Sequence, residues 1–357
     1  MRLPRVCTTV TASLATVAAL ALAVPASAAI AGAPSWHPVY TAPSAYEIQG
    51  ITAPGRADAW AYGDVYNSRD AIVRPFYLHW NGNAWRTVSI AAARGFQPEQ
   101  IGSSSRANVW LFGYTGSGIP DYAALVYNGT GWRTITAPYS AGVPDVVSAT
   151  DVWVPGEEAC AMGACTTSVQ HWNGASWQSY SVAGVVGMAM GGAHPWLAGT
   201  LAPGLHRQVA YRWSGTSWLP VAPPGASATN VVGIASPGGR VWIATQYRAG
   251  SRWRLFQRSG SVWKLLTTPR SFVLHPQLGW PVYDGHAGFW EPPFHWTGTR
   301  WVNTTPRAPL RPRWLNTFWY ENVAPVPGTS STWAVVLINI DNGNSVRSGV
   351  AAYGGTP

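Results

Sequence analysis

One phrase organises this chain, and the chain ends cut it in two. An aromatic-x-Gly-x-x-Trp pattern reads Trp80-Asn81-Gly82…Trp85, Tyr127-Asn128-Gly129…Trp132 and Trp172-Asn173-Gly174…Trp177. It returns as Trp213-Ser214-Gly215…Trp218, as Arg258-Ser259-Gly260…Trp263 with the first aromatic replaced, and as Trp296-Thr297-Gly298…Trp301. The steps are 47, 45, 41, 45 and 38 residues, and 57 residues further on the chain ends on Tyr353-Gly354-Gly355, the front half of a seventh phrase. Its back half matches Ser35-Trp36 running into Val39-Tyr40-Thr41-Ala42-Pro43, much as Trp132 runs into Thr134-Ile135-Thr136-Ala137-Pro138. A repeat divided between the termini is what a closed ring needs when its last unit is built from both ends. The pattern predicts an all-β, seven-bladed β-propeller whose closing blade joins residues 320–353 to an outer strand at 35–43. The alternative is six blades with an appended hairpin.

A second phrase precedes the first in each repeat. It is Asp58-Ala59-Trp60-Ala61-Tyr62-Gly63, Asn108-Val109-Trp110-Leu111-Phe112-Gly113 and Asp151-Val152-Trp153-Val154-Pro155-Gly156, and it degrades to Pro195-Trp196-Leu197-Ala198-Gly199, Val241-Trp242-Ile243-Ala244, Trp290 and Thr332-Trp333-Ala334-Val335. The Asp or Asn suits a turn that opens a strand, aromatic and β-branched residues suit a half-buried pleat, and the closing Gly lets the chain leave with φ > 0. The Asn-Gly, Ser-Gly and Thr-Gly pairs read as tight turns between short strands. With an apolar strand ahead of each Trp phrase, such as Val231-Val232-Gly233-Ile234-Ala235, each repeat supplies about four strands, one propeller blade.

This order of strands resembles the repeats of kelch and galactose-oxidase-type propellers, and more closely the Trp-rich repeat propellers of secreted bacterial proteins. The resemblance spans residues 36–353. It implies architecture and says little about activity: the kelch Gly-Gly doublet is reduced to one Gly, and blades five to seven are eroded. The copper radical chemistry of galactose oxidase would need a Cys cross-linked to Tyr and two His ligands, which this chain does not match.

Residues 1–28 read as an export leader. Arg2 and Arg5 precede an apolar run from Val10 to Val24, and Ala26-Ser27-Ala28 is a small-x-small site with cleavage expected between Ala28 and Ala29. Residues 29–357 are then the propeller, and no later segment is long and apolar enough for a membrane span. In an oxidising compartment Cys160 and Cys165 are expected to form a disulfide of local effect.

Chemistry is sparse. Trp at fixed repeat positions packs between blades, which leaves Trp253, Trp280, Trp314 and Trp319 as the candidates for exposed work. His79, His171 and His295 each precede the repeat aromatic in a different blade and read as structural or surface residues. No metal site, cofactor or nucleic-acid partner is expected. Asp58 and Asp151 are assigned to turns, and the adjacent Glu157 and Glu158 should point to opposite faces of a strand. Glu99, Asp121, Glu291 and Glu321 remain as the carboxylates that a glycan-active hydrolase or lyase would draw on. Charge is uneven: residues 248–313 hold ten basic side chains against Asp284 and Glu291 alone. The expected function is a secreted, non-enzymatic propeller that binds an anionic polysaccharide, a cell-envelope polymer or an extracellular protein. Its expected ligand residues are Arg311, Arg313, Trp314, Trp319, Trp280 and Trp253. The hydrolase or lyase is the rival, and the oligomeric state is left open.

Overall fold

The computed structural model describes residues 35–116, 121–140, 142–161, 164–189, 195–201, 207–224, 230–235, 239–246, 252–272, 274, 282–305, 318–340 and 345–354. The expected leader and its cleavage site at Ala28 and Ala29 lie outside them. Residues 34–357 form a single unit, within which the strands make seven antiparallel four-stranded sheets. Blades one to six occupy residues 46–88, 96–136, 145–183, 185–220, 230–266 and 282–303 in chain order. Blade seven takes three strands from 318–353 and its fourth from Trp36–Thr41. Trp36 pairs with Tyr353 and Thr41 with Gly349, so the closing blade is stitched from both termini as the split phrase predicts. The first strand of blade one also neighbours the first strand of blade seven, which completes the ring.

The repeat tryptophans explain why the sheets stack. Those of the second strands (Trp60, Trp110, Trp153, Trp196, Trp242, Trp290 and Trp333) are all buried. Each fourth-strand Trp reaches back to the second-strand Trp of the preceding blade in an edge-to-face contact. The pairs are Trp132 on Trp60, Trp177 on Trp110, Trp218 on Trp153, Trp263 on Trp196, Trp36 on Trp290 and Trp85 on Trp333, with ring centroids 5.1–6.5 Å apart. Between blades five and six Phe289 intervenes, touching both Trp242 and Trp301. Such pairs contribute about 0.5–1.5 kcal/mol each beyond the area they bury. Several of these indoles also donate to the preceding blade: Trp177 to the Thr136 carbonyl, Trp263 to that of Ala222 and Trp301 to that of Thr267. In blade five, where the phrase has Arg258 in place of an aromatic, the guanidinium lies 4.8 Å from the Trp196 ring and 5.8 Å from the Trp263 ring. Cation–π contact fills the gap in the belt.

Two local expectations need correction. The Gly closing the second phrase is not there for positive φ. A Cβ at Gly63, Gly113 or Gly199 would collide with the carbonyl oxygen of Glu47, Gln97 or Val185 on the adjacent first strand, so close backbone approach excludes a side chain. The hairpin glycines do have positive φ, from 59° at Gly260 to 101° at Gly215. Most of these turns are, however, longer than two residues: Trp80 pairs directly with Trp85 across a four-residue loop. The Asn81 carboxamide oxygen accepts from the amides of Asn83 and Ala84, both at 3.1 Å, and Asn128 and Asn173 repeat the device.

The repeat histidines are structural in a specific way. His79 stacks on Trp60, His171 on Trp153 and His295 on Trp290, with centroids 3.9–4.1 Å apart. Their Nε2 atoms meet the carboxylates of Asp58, Asp151 and Asp284 at 2.8–2.9 Å. Asp58 and Asp151 therefore orient an imidazole besides opening a strand. Among the described residues no cluster of His, Cys, Asp and Glu is arranged to hold a metal ion.

Candidate functional site

In each blade the first strand begins where the second ends, and at this end the ladders of blades one, two and seven each carry a bulge. At that end of blades one to three lie, among others, the carboxylates Glu47, Asp64, Glu99, Glu157 and Glu158 and the tyrosines Tyr62, Tyr66, Tyr77, Tyr122 and Tyr139. On blade one, Glu47 stands directly opposite Asp64 in the ladder, and Tyr62 stands opposite Tyr77. Tyr62, Asp64 and Tyr66 are alternate residues of Asp58–Tyr66 and share a face with Glu47 and Tyr77. Blade two meets this face. Gln97 donates from Nε2 to Asp64 Oδ1 at 2.7 Å, and the Tyr62 hydroxyl donates to the Glu99 carbonyl.

Glu99 is placed by a β-bulge. The ladder shifts between Pro98 and Gln100, leaving Glu99 as the extra residue, and such bulges re-aim side chains. Gln49 holds the matching position in blade one and Glu321 in blade seven. A further irregularity lies between Pro155 and Glu158 in blade three. It breaks strict alternation, so Glu157 and Glu158 are both exposed and both act on the Tyr139 hydroxyl, which also feels Glu99. The Tyr139 ring lies 5.0 Å from that of Tyr122. The hairpin carrying Glu157 and Glu158 is pinned by the Cys160–Cys165 disulfide, a directly opposed cross-strand pair.

The electrostatics of this arc are unusual for the molecule. Burial raises the carboxyl of Asp64 above the ordinary range; the Gln97 hydrogen bond opposes this and the Glu47 charge adds to it. Burial also raises Glu99 and Glu158. Tyr62 and Tyr77 are pushed far up, first by burial and then by Asp64. The described ion pairs join Asp58, Asp151 and Asp284 to His or Arg, and none reaches the arc. Tyr77 is 6% exposed and its hydroxyl has no hydrogen-bond partner. Beside it a groove of about 690 Å³ runs along blade one, lined by Arg74, Tyr77, Thr87, Ile90 and Arg94 among others.

The residues singled out from sequence fare differently. Trp253 is 5% exposed and packs with Leu255, Phe272 and Trp296, so its place outside the phrases reflects a core role and not an exposed one. Trp280, Arg311, Arg313 and Trp314 lie outside the described residues. Trp319 falls in the strand Phe318–Pro325, opposite Leu337. Asp121 is exposed at the start of Asp121–Tyr127, whereas Glu291 is fully buried in blade six. The sequence reading missed Asp64 and the tyrosines, because a blade-to-blade contact carries no spacing signature.

No protein-family model and no curated protein matches the chain. Solved structures do. The β-propeller domain of the Trilobed protease from Pyrococcus furiosus, described as having an open velcro topology, aligns with a TM-score of 0.58 and 10% identity over 88% of this chain and 95% of that one. Pyrococcus horikoshii acylaminoacyl peptidase gives 0.56 at 7% identity over 82% and 49%. Virginiamycin B lyase from Staphylococcus aureus gives 0.53 at 12% identity over 89% and 99%. At such identities the likeness is one of fold. The protein is a seven-bladed β-propeller. Among its described residues no helix is long and apolar enough to cross a membrane.

Proposed function

We propose that this propeller is exported and binds a glycan of the cell envelope or its surroundings, with the carboxylate–tyrosine arc of blades one to three as its ligand face. The observation that carries the reading is that Glu47, Asp64, Glu99, Glu157 and Glu158 have no basic partner among the described residues, while Asp58, Asp151 and Asp284 are each paired. Carboxylates accept hydrogen bonds from sugar hydroxyls, and tyrosine offers a flat ring with a polar tip. The basic and apolar leader supports export, and the Cys160–Cys165 disulfide fits an oxidising compartment. The kelch-like character of the repeat belongs to the same reading. An anionic-polymer contact at Arg311, Arg313, Trp314 and Trp319 is a separate part of it, supported by the exposed Arg252, Arg254, Lys264 and Arg270 in the same basic stretch. The test is a glycan array on the secreted protein beside a Glu99→Gln/Glu158→Gln variant. Ligands retained by the wild type and lost by the variant are expected. An array without any glycan bound would overturn the reading.

One observation favours a second reading, a glycan-active hydrolase or lyase. Glu47 and Asp64 face each other across a ladder, and Cβ atoms of such pairs stand about 5 Å apart. A retaining glycosidase draws on two carboxyl groups held close together across the sugar. Release of reducing ends that is lost in Asp64→Asn and Glu47→Gln would favour this reading; its absence across a polysaccharide panel would dismiss it.

A further inference from the structure

We propose that the arc selects a glycan with free amino groups, a polymer of de-acetylated amino sugars, over neutral and anionic glycans. The proposal rests on the glycan-binding reading above and names the ligand's chemistry.

Charge is the first reason. The chain carries a formal net charge of +9, yet Glu47, Asp64, Glu99, Glu157 and Glu158 lie at one end of three adjacent blades with no ion pair among the described residues. The cations described toward this end are Arg69, Arg74 and Arg94 on blade one and its exit, and Arg347 on blade seven, beside the Ser348 whose hydroxyl accepts from the Ile48 amide. Arg74 is committed to Tyr46, donating to its hydroxyl at 3.0 Å with the guanidinium 5.8 Å from the ring. Arg69 is exposed on the hairpin between the second and third strands, and Arg94 lines the outer groove. Blades two and three bring Glu99, Asp121, Glu157 and Glu158 to this end and no basic residue within Asn108–Thr115, Asp121–Tyr127 or Asp151–Ala161. Like charges directly opposite in a ladder destabilise it, as Glu47 and Asp64 must. An ammonium between carboxylates removes that repulsion. A neutral sugar leaves it, and an anionic one adds to it.

The second reason is independent of charge. The Tyr77 hydroxyl is buried and unpartnered, and its side chain lies on the face of blade one that carries Tyr62 and Asp64. An unsatisfied buried hydroxyl costs about 1–3 kcal/mol, a cost that a ligand donor or acceptor removes. The tilted rings of Tyr122 and Tyr139, the latter within electrostatic reach of Glu99, Glu157 and Glu158, add aromatic faces on which an ammonium sits favourably.

The experiment is calorimetric titration of the secreted protein with three oligosaccharides of equal length: glucosamine with free amines, its N-acetylated form and a glucose oligomer. Polylysine serves as a fourth probe. Wild type is compared with Glu99→Gln and Glu157→Gln/Glu158→Gln, with folding verified by circular dichroism. The free-amine oligomer should bind at least about tenfold tighter than the N-acetylated one, lose about tenfold in the double variant, and weaken as salt rises. Equal affinity for the free-amine and N-acetylated oligomers overturns the amine preference and leaves the glycan reading standing. No binding of any oligosaccharide overturns both. Binding of polylysine alone, or free-amine binding unchanged in both variants, overturns the proposal as well.

Discussion

Trp36 stands opposite Tyr353 in the ladder that joins the first strand of the ring to its last, with the two rings 5.3 Å apart. The same indole is fully buried, meets Trp290 of blade six edge-on at 5.7 Å and donates from Nε1 to the Thr304 hydroxyl at 3.1 Å. One side chain therefore binds the N-terminal strand to two blades. Trp36→Ala should cost about 3–5 kcal/mol, the usual range for emptying a buried aromatic site. Deleting residues 29–43 should cost more, because it also exposes the edge of the strand Ser345–Tyr353. Urea unfolding followed by tryptophan fluorescence measures both. A deletion with an unchanged midpoint would show that closure contributes nothing.

Asp64 and Asp284 should respond to pH in opposite directions. Burial raises Asp64 above its unfolded value, so between those two values the folded state holds the extra proton. Stability from this group is present in acid and is lost as pH rises through the raised value. Asp64→Asn keeps an oxygen to accept from Gln97 and removes the charge facing Glu47. It should raise the melting temperature at neutral pH by on the order of 2 °C and flatten the fall between acid and neutral pH. A lower melting temperature at neutral pH would contradict the buried-charge account.

Asp284 is the reverse case. Burial alone would raise it, but hydrogen bonds from His295 and from the amides of His286 and Gly288, with the His295 charge, bring it below its ordinary value. Its contribution is present above the unfolded carboxylate value and is lost as pH falls through the lowered one. Asp284→Asn should destabilise the protein near neutrality, by about 1–3 kcal/mol if the lost hydrogen bonds to a charged group set the scale. The gap from wild type should close toward strong acid. A gap that is constant with pH would mean that packing, and not charge, carries the effect.

The ring was legible because it is written in local, repeated residues: a turn Asn or Ser, a Gly that must take positive φ, and a Trp at a fixed step. Even Arg258, which breaks the phrase, keeps its place by stacking on the same tryptophans. The candidate site was not legible, because Asp64 and Gln97 belong to different blades and nothing in one repeat announces the other. Glu99 and Glu157 were visible as carboxylates, but their placement depends on bulges, and a bulge shifts the alternation from which a strand face is read. Trp253 failed for the opposite reason: it lies outside the repeat phrases yet is core.

Tyr77→Phe separates a stability effect from a binding effect. Removing a buried hydroxyl that has no partner should leave the free protein as stable as wild type or more so, by up to about 1 kcal/mol. The same change should weaken glycan binding severalfold if the ligand is what satisfies that hydroxyl. Calorimetry of the free protein and titration with the best array ligand give the two numbers. Loss of stability in the free protein would mean that the hydroxyl is already satisfied, and unchanged binding would place the ligand away from Tyr77.

The Cys160–Cys165 bridge should matter more to the site than to the fold. Its sequence separation of 5 closes a very short loop at the end of a hairpin, and chain-entropy arguments give such a loop on the order of 2 kcal/mol at most. The hairpin end can open without disturbing Trp153 or Val169, which are buried nearer the blade's other end, so much of that term need not appear in global unfolding. What the bridge does fix is the bulged segment that presents Glu157 and Glu158. A Cys160→Ser/Cys165→Ser variant should therefore unfold at nearly the wild-type urea midpoint. Its amide exchange should be faster across 157–167, and its binding of any ligand held by Glu157 and Glu158 should be severalfold weaker. Two outcomes would contradict this division of labour: a large drop in global stability with unchanged local exchange, or binding indifferent to the bridge.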